Sequence, residues 1–230
     1  MDKTRWIIFS AAVVLLIGGL VAYTRITNPP LDVSNVNVNS VLAAAPESGD
    51  IADHTKGQTD GKILLVEYGD FQCPSCGGAH PNVNALMEEY GDSVTFVYRN
   101  FPLTTIHPNA RAAAAVAEAA GLQGKYWEMY DLLFESQNSW SSLDASQRTG
   151  VFNGYAQSLD LDLDRFTTDI AASNVSKKIN FDQAVGKKAG AEATPSFYLN
   201  GEKLDDATAN GIVQGNLSAI KTQLDALIKE

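Results

Sequence analysis

The chain has 230 residues, with 17 Lys and Arg against 27 Asp and Glu and a net charge of −10. No basic cluster interrupts that acidity, which excludes nucleic acid as a partner. A single domain of this size buries a core without cross-links, so the two cysteines are free for chemistry.

The first segment, WIIFSAAVVLLIGGLVAY from Trp6 to Tyr23, runs 18 residues without a charge. As a helix it would reach about 27 Å, close to the thickness of a bilayer core. Residues 1–25 are therefore expected to be an uncleaved transmembrane anchor. A cleaved signal peptide would end soon after a shorter apolar core, whereas the small-residue site here, Ala43-Ala44-Ala45, comes too late. Lys3 and Arg5 precede the segment, which predicts a single-pass cell-membrane protein with a cytoplasmic N-terminus. The folded domain would then lie on the extracytoplasmic, oxidising side.

Residues 26–50 contain three Pro and four Asn and no periodic apolar face, and read as a linker. The alternation Val33, Val36, Val38 allows a short strand instead. The domain proper is expected over 51–230. It opens with KILLVEY (Lys62 to Tyr68), a nearly continuous apolar run expected of a strand covered on both faces. Past Cys73-Pro74, the spacing of Val83, Leu86, Met87 and Tyr90 predicts a helix ended at Gly91. Val94 to Tyr98 is a second strand, parallel to the first.

From about 107 to 190 the patterns are helical: Asn109 to Ala120, Tyr126 to Phe134, Leu143 to Leu159, Asp164 to Ala172 and Val175 to Ala189. TPSFYLNGEKL then gives two short strands around Asn200-Gly201, the preferred tight hairpin dipeptide. A final amphipathic helix carries Ile212, Leu217, Ile220, Leu224 and Leu227. The fold class is α/β, with a helical segment inserted between two sheet-forming halves.

Cys73-Pro74-Ser75-Cys76 sits where the first strand turns into a helix. Cys73 falls at the N-cap and Pro74 at the first helical position, where its missing N–H costs nothing. First-turn N–H groups and the helix dipole favour a Cys73 thiolate, while Cys76, one turn on, should be more buried and less acidic. Disulfide exchange uses that asymmetry: one sulfur forms the mixed disulfide and the other resolves it. A structural disulfide closing so short a loop would stabilise little. A zinc site built on Cys73, Cys76 and His80 would lack a fourth ligand.

Glu67 alternates with Ile63 and Leu65 on an otherwise apolar face. A carboxyl there should have a raised pKa and could exchange protons with Cys76; its alternative role is to pair with Arg99. Thr194-Pro195 opens the hairpin, and the isomer of that bond is open. His80 and His107 read as structural, and Trp127, Met129, Tyr130, Leu133 and Phe134 as a helix core face.

The runs VEYGDFQCPSC, RNFPLTTIHPNA, AAGLQGKYWEMYDLLF and AEATPSFYLNG together resemble the DsbA-like thioredoxin family of bacterial extracytoplasmic disulfide oxidoreductases, from about Gly57 to the C-terminus. The resemblance implies a thioredoxin fold with a helical insertion and no bound cofactor or metal. It implies that Cys73 exchanges with substrate, that Cys76 resolves, and that Glu67 is the family's buried acid. Pro195 would be cis and face the cysteines, with the Thr194 backbone pairing with an extended substrate. Exported Cys-containing proteins would be the substrates and a membrane quinone-linked partner the reoxidant.

Two departures stand out: Pro-Ser between the cysteines where strongly oxidising enterobacterial members carry Pro-His, and Ala193 where relatives often have Gly. A reductase or isomerase using the same site, or a membrane-tethered chaperone-like binding domain, is the alternative to an oxidase.

Overall fold

The computed structural model describes residues 3–27, 31–59 and 62–229. Along the chain come helix α1 (Lys3–Thr27), strands β1 (Thr55–Gly57) and β2 (Ile63–Gly69), helix α2 (Pro74–Tyr90) and strand β3 (Val94–Asn100). Helices α3 (Ala110–Gly121), α4 (Tyr126–Glu135), α5 (Gln137–Trp140), α6 (Ala145–Ser158), α7 (Leu163–Ile170) and α8 (Ser173–Ala189) follow. Strands β4 (Ser196–Leu199) and β5 (Glu202–Lys203) and helices α9 (Asp206–Gln214) and α10 (Ser218–Ile228) complete the described chain.

Two units separate at Asp32 and Val33. The first holds α1, whose Ile7, Val14, Leu15 and Leu16 are exposed. Among the described residues no helix is long and apolar enough to cross a membrane. Residues 1, 2 and 28–30 of the expected anchor and linker lie outside the described residues.

In the second unit the described strands form one sheet in the order β1-β3-β2-β4-β5. Strands β2 and β3 are parallel, joined through α2, and buried at every position. Their Val, Ile, Leu and aromatic residues suit a layer covered on both sides. Strand β4 runs antiparallel to β2, with Glu67 opposite Phe197. The β4–β5 hairpin turns on Asn200 and Gly201, both left-handed at φ 48 and 84, as a type I′ turn requires. One face of the sheet packs Leu65, Phe96, Tyr98 and Phe197 against α2 and α4. The other packs Val66, Tyr68 and Val97 against Phe181 and Val185 of α8.

Three expectations need correction. Residues 33–50 do not form a free linker. Val33, Val36, Val38 and Leu42 pack on the second core without forming a strand. Buried Arg99 donates to the carbonyls of Val38 (3.0 Å) and Ser40 (2.7 Å) and pairs with Asp53 at 2.7 Å. Asp53 also accepts from the Leu42 N–H at 2.9 Å, and Lys178 bridges it (2.9 Å) to Asp182 (2.8 Å). A buried guanidinium needs acceptors for all its donors; the irregular segment supplies two of them, and Asp53 and the Tyr68 hydroxyl the rest.

The C-terminal helix is likewise two helices, broken at Gly215, which is left-handed at φ 82. The third correction is β1, a three-residue edge strand antiparallel to β3, where the domain was expected to open with β2.

Candidate active site

Strand β2 delivers the chain to a loop that Asp70 fastens. Its carboxylate accepts from the N–H groups of Gln72 (2.7 Å) and Leu103 (2.8 Å) and meets His107 Nδ1 at 2.8 Å. The Cys73 N–H donates to the Asp70 carbonyl at 3.0 Å. Cys73 is then the N-cap of α2, in extended backbone at φ −70 and ψ 123, with Pro74 as the first helical residue. Gln137 holds the same turn from α5, donating from Nε2 to the carbonyls of Phe71 (2.8 Å) and Cys73 (2.9 Å). Nothing in the sequence singled out Gln137, since a lone Gln on a four-residue helix carries no pattern.

Both cysteines are free thiols. Pro74 and Ser75 are exposed, whereas Cys73 itself is only 6% accessible, against 1% for Cys76. The two thiols are driven apart in acidity. Cys73 is pulled down to about 5, chiefly by the hydrogen bond from the Cys76 thiol, with help from Thr194 and the Cys76 and Ser75 N–H groups, against the opposing effect of burial. Burial first, then Cys73 and Glu67, pushes Cys76 well above the ordinary thiol value. The Asp70 N–H donates to Cys76 Sγ at 3.5 Å.

Opposite the pair, Gly190, left-handed at φ 89, stops α8 and turns the chain toward the Thr194–Pro195 bond, which is cis. The Cys73 thiol donates to the Thr194 carbonyl at 3.4 Å. The Thr194 hydroxyl is buried and otherwise unpartnered among the described residues, so it is available as a donor once Cys73 is a thiolate.

Glu67 is 1% accessible. Burial, reinforced by the neighbouring Cys73, pushes its carboxyl up to about 8, with Cys76 opposing the shift. Neither of its oxygens has a hydrogen bond of ordinary geometry among the described residues. The alternative partner is ruled out by register: Glu67 lies opposite Tyr98 and Arg99 opposite Tyr68, so Arg99 projects from the other face of the sheet.

His80 is bound to Asp131 at 2.7 Å, and among the described residues no three His, Cys, Asp or Glu side chains group as metal ligands. A groove of about 630 Å³ beside Leu199, Lys203, Gln223 and Leu227 shares no residue with the thiol pair. A second, of about 570 Å³, lies between residues 101–105 and Ala191 and Glu192, just ahead of Thr194.

A family model described as Thioredoxin matches residues 50–217. The chain is 36% identical over 200 residues to a Na(+)/H(+) antiporter NhaA 1 of Salinispora arenicola, covering 87% of this chain and 28% of that protein. To a Na(+)/H(+) antiporter NhaA of Herminiimonas arsenicoxydans it is 33% identical over 175 residues, covering 74% and 27%. The chain thus spans less than a third of these curated relatives, and the antiport in their names describes much longer proteins. Among solved structures, alpha-DsbA1 of Wolbachia pipientis is similar at 25% identity and TM-score 0.65, covering 83% of this chain and 96% of that one. BdbD of Bacillus subtilis shares the fold at 19% identity and TM-score 0.64, covering 83% and 98%.

Proposed function

The chain belongs to the thioredoxin family, and we propose that it is a thiol-disulfide oxidoreductase, similar in fold to DsbA-like proteins, that works as an oxidase introducing disulfides into exported Cys-containing proteins. The observation that carries this reading is the placement of the two sulfurs: Cys73 caps α2 beside the Thr194 carbonyl while Cys76 lies buried one turn on, a geometry that lowers the first thiol to about 5 and raises the second. A stabilised Cys73 thiolate stabilises the reduced pair, which makes the disulfide form the stronger oxidant.

In the oxidised enzyme a substrate thiolate attacks Cys73 Sγ. The Cys73–substrate bond forms as the Cys73–Cys76 bond breaks, and the electron pair leaves on Cys76, which takes a proton from Glu67. A second substrate thiolate then attacks the substrate sulfur of the mixed disulfide, and Cys73 departs as the stabilised thiolate. The substrate has lost two electrons and the pair has gained them; a membrane quinone-linked partner removes them again. The extended substrate pairs with the Thr194 backbone and runs along the groove by Leu103 and Ala191.

The uncharged stretch within α1, with its exposed apolar residues, supports a single membrane anchor that leaves the N-terminus in the cytoplasm and the catalytic domain outside.

Equilibration with glutathione tests the direction. A potential near about −120 mV fits an oxidase, whereas one near about −270 mV refutes it in favour of a reductase. A Cys76→Ala variant should accumulate mixed disulfides through Cys73 in cells, and their absence would point to a binding domain. Extraction of membranes with alkaline carbonate should leave the full chain in the pellet and release a chain lacking residues 1–30.

A further inference from the structure

Each turnover moves a proton to or from Cys76, a thiol that is 1% accessible, and Glu67, equally buried, is only its first station. Beyond Glu67 lies a row of buried polar atoms that stability does not explain. The hydroxyls of Tyr98, Tyr126 and Tyr130, the Asn100 Oδ1 and both Glu67 oxygens have no hydrogen-bond partner among the described residues. Buried groups of this kind are normally satisfied, often by bridging water, and six such atoms along one face of a sheet form a polar track.

The order of that track follows from the backbone. Glu67 faces Tyr98 across the parallel pair of β2 and β3. The Tyr98 ring lies over Gly69, whose absent side chain leaves room for it: a Cβ there would stand 2.8 Å from the Tyr98 hydroxyl. That hydroxyl is thereby directed along the strands toward the row of Gly69 and Asn100, which are register partners. Asn100 Nδ2 donates to Glu118 Oε1 at 2.6 Å, and Glu118 Oε2 meets His54 Nε2 at 2.9 Å. His54 stacks on Tyr126 at 3.6 Å between ring centroids, and its side chain is 18% accessible.

Asp182 and Lys178 of α8 and Asp53 border the far end of the track, Asp182 accepting from Asn100 Nδ2 at 3.0 Å. Asp70 acts on Tyr98 near its start, where burial and the neighbouring Cys76 and Glu67 keep that phenol protonated and able to donate.

We propose that Tyr98, Tyr126, Glu118 and His54, with Asn100 orienting Glu118 and water bridging their unpartnered atoms, carry the proton of Cys76 between Glu67 and solvent. His54 adjoins β1, two strands from β2 in the sheet order, whereas Cys73 faces Thr194 next to β4. Proton traffic therefore enters by one side of the sheet while the substrate occupies the other, and Glu67 is recharged with the substrate still bound. When Cys76 leaves as a thiolate, Glu67 gives it a proton and regains one through the track. When the pair is reoxidised, the same proton returns along it.

The inference rests on the thiol-disulfide exchange proposed above and works in either direction of electron flow. Its test uses the full chain with Tyr98→Phe, Tyr126→Phe and His54→Gln, following mixed-disulfide formation between the oxidised enzyme and glutathione, and the reverse reaction, by stopped flow in H2O and D2O. Because the two phenols have no partner to lose among the described residues, their removal should leave melting temperature and redox potential unchanged. The exchange rate should fall at least about tenfold in both directions, with an altered solvent isotope effect, and imidazole in the buffer should restore the His54→Gln rate. Rates within about twofold of the parent in all three variants overturn the relay. A strongly reducing potential would overturn the oxidase reading alone and leave these rate losses in place.

Discussion

Replacing Glu67 by Gln separates what the buried carboxyl costs the fold from what it does for the chemistry. Burial lifts this group from 4.5 to about 8, while the unfolded chain restores its ordinary value. The native state therefore holds a proton that the unfolded state gives up. The resulting penalty is absent below pH 4.5, grows as pH rises, and is complete above about pH 8. With each unit worth about 1.4 kcal/mol, the ionisable carboxyl costs about 3 kcal/mol at pH 7. Glutamine matches the protonated acid in shape and carries no such cost. Glu67→Gln should thus be about 3 kcal/mol more stable at pH 7, a rise in Tm of about 6–12 °C, and equal to the parent near pH 4.5. Its Cys76-dependent exchange should slow about 100-fold, since the group that handles the proton is gone. Urea unfolding of both proteins, kept reduced, across this pH window measures the first effect. A stability difference that does not vary with pH would refute the reasoning.

Alkylation of the reduced protein should report a Cys73 thiolate half-formed near pH 5; a midpoint in the ordinary thiol range would remove the basis for an oxidising pair. Because its folded pKa is depressed, the Cys73 thiolate stabilises the reduced fold above the ordinary thiol pKa, and that stabilisation is lost as pH falls through about 5. Arg99→Met should cost about 3–5 kcal/mol in denaturant unfolding, because it leaves Asp53 short of a partner and frees residues 38–42; the freed segment should become open to proteolysis. Gly186→Ala should cost about 1–3 kcal/mol, since a Cβ there would stand 2.7 Å from the Phe101 ring and 2.8 Å from Tyr68.

Local chemistry was readable wherever it decides local structure. The continuous apolar runs of β2 and β3, the Cys-Pro start of α2 and the Asn200-Gly201 turn are each fixed by residues within a few positions of one another. The depth of Glu67 was readable from strand alternation. That Arg99 is not its partner was not readable, because the parity of facing residues depends on the register between strands. Residues 33–50 looked like a tether since no apolar periodicity runs through them; beyond the local turn that Ser48 closes on Ala45, their partners Arg99 and Lys188 are about 60 and 150 positions away. Gln137 and the track from Tyr98 to His54 were invisible for the same reason: both are assembled only when α3, α4 and α5 close over the sheet.

The ties that hold residues 33–53 have a consequence for how the domain is made. Asp53 precedes its partner Lys178 by 125 positions, and Lys188 reaches the carbonyls of Val33, Ser34 and Val36 from 152 to 155 positions further on. Contacts of such span close slowly. Arg99 can hold Val38, Ser40 and Asp53 once β3 is in place, but Val33, Ser34 and Val36 wait for Lys188 at the end of α8. Helix α8 is what seals the stretch ahead of β1.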